Sequence, residues 1–122
     1  MTSADKLEGE KDLPAHVDNR PHGPESQADI AAWGEATFGP AANPADLVRR
    51  ARQELDELVT AVEAGDVAEA SLEMADVMIL LYRLAQDMGC DLNDSVTRKM
   101  AINRARKWTR AGDGTGRHVE TP

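Results

Sequence analysis

Two pairs of carboxylates, each spaced three residues apart, are the residues of this sequence best suited to chemistry. The first pair is Glu54 and Glu57, and the second pair, after fifteen further residues, is Glu73 and Asp76. Positions i and i+3 share one face of an α-helix, so each pair offers two oxygen ligands side by side. Four convergent carboxylates with few cations nearby favour a hard divalent ion, most naturally Mg²⁺ or Mn²⁺.

Asp76 is the most unusual of these acids, because it is the only polar residue in the run from Met74 to Leu81. Burying an unpaired charge is costly, so Asp76 is expected to be shielded from water and to have a partner. The nearest cation along the same helix is Arg83. Helical geometry places Asp76 and Glu73 on one face, directed towards the preceding helix.

Four helices are predicted to position these residues, from apolar spacing and helix-end signals. Ser26 is a cap for the first helix, Asn43 and Pro44 open the second, Gly65 ends it, and Gly89 ends the third. The predicted bounds are about 27–38, 44–64, 67–88 and 92–108.

The second helix carries one apolar stripe, with Glu54 and Glu57 on one of its flanks and Asp56 and Glu63 on the other. The stripe consists of Leu47, Ala51, Leu55, Leu58 and Val62. The third helix is apolar nearly all round, which is typical of a helix buried on several sides. A chain this small cannot easily cover such a helix alone, so oligomerisation is expected.

The fourth predicted helix bears a polar, mostly cationic stripe formed by Lys99, Asn103, Arg106 and Arg110, at spacings of four, three and four. This stripe is either a solvated surface or a set of donors for a polyphosphate. For Trp33, in the first helix, two roles are about equally expected: a core anchor, or a platform that stacks on the base of a ligand.

Composition limits the functional classes. The 122 residues carry a net charge of −8, which argues against nucleic-acid binding. A single cysteine, Cys90, fits a reducing compartment, and no apolar stretch is long enough for a membrane span, so the cytoplasm is the expected location. Residues 1–25 are predicted to be a flexible arm, 26–110 a helical domain, and 111–122 a tail that is flexible or closes over a ligand.

Taken together, the motifs resemble those of the all-α nucleoside triphosphate pyrophosphohydrolases, the MazG-like family. Its signature is E-x-x-E, a spacer and E-x-x-D, which the two carboxylate pairs match. Downstream, Lys99, Asn103 and Arg106 resemble the family's K-x-x-x-N-x-x-R segment, which ends in an aromatic residue, here Trp108. The resemblance covers roughly residues 27–110. It implies an all-α bundle of four to five helices, completed by assembly into a homodimer or homotetramer.

The resemblance also implies an activity: hydrolysis of a nucleoside triphosphate to the monophosphate and pyrophosphate, with two or three Mg²⁺ or Mn²⁺ ions bound by the four carboxylates. Lys99, Asn103 and Arg106 would bind phosphate, and Trp33 is a candidate for reading the base. Within the family the chain is most similar to small phage enzymes that act on purine deoxynucleotides, the (d)GTP pyrophosphohydrolases, which work in the host cytoplasm. The alternative is a non-catalytic helical oligomerisation or adaptor module, which does not explain Asp76 inside an apolar run.

Overall fold

The computed structural model describes residues 23–120 as four α-helices followed by one short β-hairpin. The all-α class is therefore confirmed, with the hairpin as a small addition. None of the helices in residues 23–120 has the length and apolar character that a membrane crossing requires. The predicted N-terminal arm lies outside the described residues except for positions 23–25. The elements are α1 Gln27–Phe38, α2 Ala45–Glu63, α3 Val67–Met88, α4 Leu92–Ala105, β1 Trp108–Arg110 and β2 Gly116–His118.

Local capping residues set three of the four helix starts. Ser26, Asp66 and Asp91 each accept a hydrogen bond from the backbone N–H three residues further on, at 3.1, 3.0 and 2.9 Å. Each cap satisfies one of the N–H groups that have no partner inside a helix. Gly89 ends α3 with φ of 76°, a left-handed conformation that disfavours residues with a Cβ. These boundaries agree with the sequence prediction.

Helix α2 begins at Ala45, one residue later than predicted. Pro44 already has helical angles, φ −53° and ψ −29°. The side-chain oxygen of Asn43 accepts a hydrogen bond from the Ala45 N–H at 3.0 Å. Because proline has no N–H, Ala45 provides the first donor that Asn43 can satisfy.

The chain divides into two compact units after Cys90. In the first unit, α2 and α3 pack along each other as an αα-hairpin, and α1 packs against α3. The buried apolar residues are mostly alanines. Small side chains permit close approach of the helices, so polar groups on the facing surfaces of α2 and α3 can meet. The buried apolar set is Ile30, Ala31, Leu47, Ala51, Ala61, Ala70 and Ala85.

Side-chain hydrogen bonds fix both ends of α1 to the α3 segment. At the first end, Gln27 Nε2 donates to the carbonyl oxygen of Cys90 at 2.7 Å. At the other end, the buried Arg83 donates through Nη2 to the carbonyl oxygen of Gly39 at 3.2 Å. These two bonds span the length of α1 and hold it along α3.

Arg83 lies across α1 at a position where the helix has no side chain. A Cβ at Gly34 would overlap the Nε and Cδ atoms of Arg83. The Arg83 guanidinium carbon also lies 5.8 Å from the centre of the Phe38 ring, within cation–π range. Gly34 is therefore required for the close approach of Arg83 to the α1 backbone.

Helix α3 is only partly covered by the rest of the chain. Within this chain only Ala70, Glu73, Arg83 and Ala85 of α3 are buried. Large apolar side chains elsewhere on the helix are exposed, namely Val67, Leu72, Met74, Met78 and Met88. The single chain leaves these residues uncovered, as expected for a chain too small to wrap α3 alone, and their burial by a partner chain stays a prediction.

The second unit departs from the predicted helix. Helix α4 ends at Ala105 instead of Trp108, and Arg106 has the extended angles φ −88° and ψ 157°. The prediction of one helical stripe is therefore wrong, because Arg106 caps the helix and Arg110 lies in β1. Tryptophan and threonine at positions 108 and 109 favour strands, and they follow the helix directly.

Strands β1 and β2 pair antiparallel, with Trp108 opposite His118 and Arg110 opposite Gly116. The connecting turn contains two glycines with positive φ, Gly112 at 98° and Gly114 at 94°. Between them, Asp113 accepts hydrogen bonds from the N–H and hydroxyl of Thr115, which lower the pKa of its carboxyl. An ordered hairpin thus occupies most of the segment predicted as a tail.

Candidate functional site

Three of the four predicted carboxylates come together between α2 and α3. Glu54, Glu57 and Glu73 each place an oxygen within 4.8 Å of the other two. Glu54 is 7% exposed and Glu73 is 9% exposed, whereas Glu57 is exposed. Two residues from α2 and one from α3 therefore form a compact group of oxygen ligands.

The buried face of α2 is rotated by about one residue from the predicted apolar stripe, so that it includes Glu54. Leu55 and Val62, which the sequence places in the apolar stripe, are exposed. Their neighbours at positions 54 and 61 are buried instead, because the small alanines of α2 allow closer packing along that line. The buried residues of α2 are Leu47, Ala51, Glu54 and Ala61. The stripe prediction was thus half right, and the shift moves Glu54 from the flank into the contact.

Glu73 is the least satisfied member of the group. Its Oε2 atom is buried and has no hydrogen-bond partner among residues 23–120. Its pKa is raised to about 7, first by a hydrogen bond with Glu54, then by burial, by a hydrogen bond with Glu69 and by the charges of Glu57 and Glu54. An ionised Glu73 therefore requires a cation to offset the neighbouring negative charges.

The described residues provide this group with one ion pair. Arg50 Nη2 lies 3.1 Å from Glu54 Oε1, and the Arg50 side chain is largely exposed. An exposed pair of this kind contributes little stabilisation. The group consequently keeps an excess of negative charge, and its all-oxygen donors and the unpartnered Glu73 Oε2 fit a hard divalent cation such as Mg²⁺ or Mn²⁺.

Asp76 does not belong to this group, so its carboxylate lies farther than 4.8 Å from at least one of the three. It is exposed, and the expectation that it is shielded within the chain is wrong. Arg83 makes its hydrogen bond with Gly39 on the α1 side, and it forms no ion pair within residues 23–120. The surface around Asp76 is open because Met74 and Met78 beside it are exposed as well.

Trp33 is not a core anchor. It is 39% exposed, whereas the buried residues of α1 are Ile30, Ala31 and Gly34. Its ring meets that of Phe38 edge to face, with centres 5.5 Å apart and planes at 89°. This geometry leaves part of the Trp33 ring accessible, as stacking on a planar ligand requires.

The predicted phosphate-binding residues lie in the second unit. Lys99 and Asn103 are on α4, and Arg106 follows its last turn. Lys99 and Arg106 are exposed, whereas Asn103 is half-buried and its Oδ1 has no hydrogen-bond partner among the described residues. The indole N–H of Trp108 donates to the backbone carbonyl of Asn103 at 2.8 Å.

A family model for dATP/dGTP pyrophosphohydrolases matches residues 26–121, which is most of the chain. The chain belongs to this family. The predicted resemblance to the MazG-like pyrophosphohydrolases is confirmed by a structural match: a Cyanophage S-2L MazG-like pyrophosphohydrolase, bound to dGDP and three catalytic Mn²⁺ ions per active site. That match has a TM-score of 0.65 and 40% identity, and it covers 79% of this chain and 91% of the other.

Two curated relatives carry the same description, dATP/dGTP diphosphohydrolase. The protein from Cyanophage S-2L is 41% identical over 95 residues, which are 78% of this chain and 86% of the relative. The protein from Salmonella phage PMBT28 is 41% identical over 92 residues, which are 74% of this chain but only 29% of the relative. The family match over residues 26–121 includes the helical region that contains both motifs.

Sequence reasoning missed two residues at the carboxylate group of this dATP/dGTP pyrophosphohydrolase family member. Glu69 lies one turn before Glu73 on α3 and helps to raise the pKa of the Glu73 carboxyl. Arg50 lies one turn before Glu54 on α2 and pairs with it. Both stand at the i, i+4 spacing that brings side chains together on a helix, and that spacing is the signal that identifies them.

Proposed function

We propose that this chain is a metal-dependent pyrophosphohydrolase that converts a purine deoxynucleoside triphosphate, dGTP or dATP, to the monophosphate and pyrophosphate. The observation that carries the proposal is the group of Glu54, Glu57 and Glu73, in which one buried carboxylate oxygen lacks any partner among the described residues. The names of the phage relatives support the substrate class.

Glu54, Glu57 and Glu73 would hold the metal together with Asp76, which lies three residues after Glu73 on α3. When bound, Mg²⁺ or Mn²⁺ neutralises phosphate charge and lowers the pKa of a water molecule. The three Mn²⁺ ions named for the similar phage structure support two or three ions here. An exposed Asp76 is compatible with this role, since a ligand to an ion at the edge of the group must be accessible to substrate.

The reaction makes one bond and breaks one. The oxygen of a water molecule bonds to phosphorus, the P–O bond between the α and β phosphates breaks, and the water releases a proton. The leaving phosphate oxygen keeps the electron pair of the broken bond, and one carboxylate of the group accepts the proton while the others orient the water. Lys99 and Arg106 provide cationic donors, and the amide N–H of Asn103 provides a neutral one, so these three residues bind phosphate oxygens and offset the negative charge that develops.

The base would stack on Trp33. Its ring packs edge to face on Phe38, and Arg83, held over Gly34, lies 5.8 Å from the centre of the Phe38 ring. Edge-to-face packing of this kind stabilises one ring orientation and leaves the remaining face of Trp33 available. The arrangement favours a large planar base, and thus a purine.

We further propose that the enzyme assembles as a homodimer or homotetramer. Exposed apolar side chains on α2 and α3 support this, because water-exposed clusters of large apolar residues typically mark an interface. They include Leu55, Val59, Leu72, Met74 and Met78. Light scattering at micromolar concentration should give a multiple of the 13.2 kDa chain mass. A monomer mass alone would contradict the proposal. We also propose that the activity takes place in the cytoplasm of a host cell, which the phage sources of the relatives support.

The function is tested by measuring pyrophosphate release from all common ribo- and deoxyribonucleoside triphosphates, with Mn²⁺, with Mg²⁺ and with chelator. We expect the highest turnover with purine deoxynucleotides and none with chelator. Glu57→Gln should lower kcat at least about 100-fold, because an amide is a poor ligand for a hard cation. The matched control is Glu63→Gln, the same change at an exposed position of α2, which should leave turnover unchanged. No release from any nucleotide by the wild-type protein would instead favour a non-catalytic module.

A further inference from the structure

The end of α4 is closed by a side chain from the hairpin. The carbonyl oxygen of Asn103 accepts a hydrogen bond from the Arg106 N–H at 3.3 Å and a shorter one from the Trp108 indole N–H at 2.8 Å. Carbonyls in the last turn of a helix have no partner inside the helix. The indole therefore provides the better of the two bonds that satisfy this carbonyl.

The hairpin in turn holds Trp108 in place. Trp108 stands opposite His118 across the two strands, and their ring centres are 6.0 Å apart. One residue beyond this pair, the Val119 N–H donates to the carbonyl oxygen of Lys107 at 2.8 Å. A hairpin with three-residue strands is marginal by itself. The indole bond and the Trp–His pair thus join the hairpin and the helix end into one structure.

Two of the proposed phosphate-binding residues lie in the segment that the indole hydrogen bond joins to the end of α4. Asn103 is the residue whose carbonyl is bonded, and Arg106 lies between it and Trp108 with an extended backbone. The Asn103 side-chain oxygen has no partner among the described residues, so the backbone bonds are what fix the position of this residue. Losing the indole bond would release the Asn103 carbonyl and loosen the short segment that carries both Asn103 and Arg106.

We propose that Trp108 is a positioning residue for nucleotide binding: its indole N–H holds Asn103 and Arg106 in the geometry that receives the substrate phosphates. The inference rests on the proposed function, because it assumes that these two residues bind phosphate. Trp108 itself acts through them and does not contact the reacting atoms.

The test is Trp108→Phe in the full chain loaded with Mg²⁺. Phenylalanine keeps an aromatic ring opposite His118 and removes the N–H donor together with one ring of the indole. We expect KM for the preferred deoxynucleoside triphosphate to rise about 2- to 10-fold, as loss of one neutral hydrogen bond implies, while kcat changes less than KM. The matched control is Thr109→Val, which removes the hydrogen bond from Thr109 Oγ1 to the Arg117 carbonyl (3.4 Å) in the same hairpin and should leave KM unchanged.

A Trp108→Phe enzyme with wild-type KM would overturn the inference. So would an equal rise in KM for Thr109→Val, since any weakening of the hairpin would then have the same effect. If Trp108→Phe does not fold, the single-tryptophan variant Trp33→Phe serves instead, because the chain has only two tryptophans. Trp108 emission should shift when inorganic pyrophosphate and Mg²⁺ are added, and an unchanged spectrum would refute the inference. A wild-type protein that binds pyrophosphate with this shift yet hydrolyses no nucleotide would contradict only the proposed function.

Discussion

The two regions of this chain carry opposite charge. Residues 1–90 contain eighteen acidic and seven basic residues, for a net charge of −11, whereas residues 91–122 contain four acidic and seven basic residues, for a net charge of +3. A triphosphate can approach the carboxylates of the first region only when metal ions neutralise them, because like charges repel. The cations of the second region can bind phosphate directly. Under the proposed function, the acidic residues would bind phosphate only through metal ions, whereas the basic residues would bind it without them.

The largest expected effect comes from removing a proposed metal ligand in the acidic region. Asp76→Asn should lower kcat at least about 100-fold at saturating Mn²⁺, because an amide lacks the charge that a hard cation requires. Pyrophosphate release measures it. The control is Asp56→Asn, at an exposed position of α2 outside the carboxylate group. Turnover near that of wild type in Asp76→Asn would remove Asp76 from the metal site.

The next effect concerns the basic region. Arg106→Ala should weaken triphosphate binding about 10- to 100-fold, and monophosphate binding less, since a charge-assisted hydrogen bond to phosphate is lost. Isothermal titration of both nucleotides measures the difference. Arg104→Ala removes the same charge from the last turn of α4 and should have little effect. Equal losses in the two variants would mean that only the net charge of the region matters.

A smaller effect is expected in the packing of the acidic region. Gly34→Ala places a Cβ against Arg83 and should destabilise the fold by about 1 kcal/mol, even though alanine favours a helix over glycine by about the same amount. Urea denaturation measures the free energy of unfolding. Gly23→Ala, where a Cβ meets no atom within 4 Å, is the control. An unchanged or increased stability of Gly34→Ala would show that Arg83 moves aside without cost.

The last effect is a pH dependence of stability that arises in the carboxylate group. Because the pKa of Glu73 is raised from 4.5 to about 7 on folding, the folded state binds its proton more tightly than the unfolded state. The stabilisation of the folded state by this tighter proton binding is fully present below about pH 4.5 and is lost as the pH rises to about 7. Without metal, the wild-type Tm should therefore fall across this range more steeply than that of Glu73→Gln. Parallel Tm curves for the two proteins would contradict the raised pKa.

The sequence anticipates the acidic region well because helix periodicity governs it. Caps at Ser26 and Asp66 and the E-x-x-E and E-x-x-D spacings define both the helices and three of the converging carboxylates. What periodicity does not resolve is a rotation of one residue, which exposes Leu55 and buries Glu54. That choice depends on how closely α2 and α3 approach, and hence on packing between residues far apart in the sequence.

The basic region was anticipated less well because its geometry is set by long-range pairing. The spacing of Lys99, Asn103 and Arg106 suits a continuous helix, yet strand pairing between Trp108 and His118 ends α4 at Ala105. The spacing of residues within a helix cannot reveal a competing hairpin, because the second strand, at Gly116, begins eight residues after the first, at Trp108. The residue types of the motif were therefore informative, whereas their placement on one helical stripe was wrong.

Helix α1 is attached to α3 by bonds that do not involve the acidic motif residues, which separates the proposed base contact from the proposed metal ligands. Its anchoring bonds run from Gln27 to Cys90 and from Arg83 to Gly39, while all four acidic motif residues belong to α2 and α3. If Trp33 stacks on the base as proposed, substitutions around it are expected to alter base selectivity while leaving the proposed metal ligands in place. On the proposed assignment, α1 is the part of the scaffold in which base selectivity can change at the lowest risk to turnover.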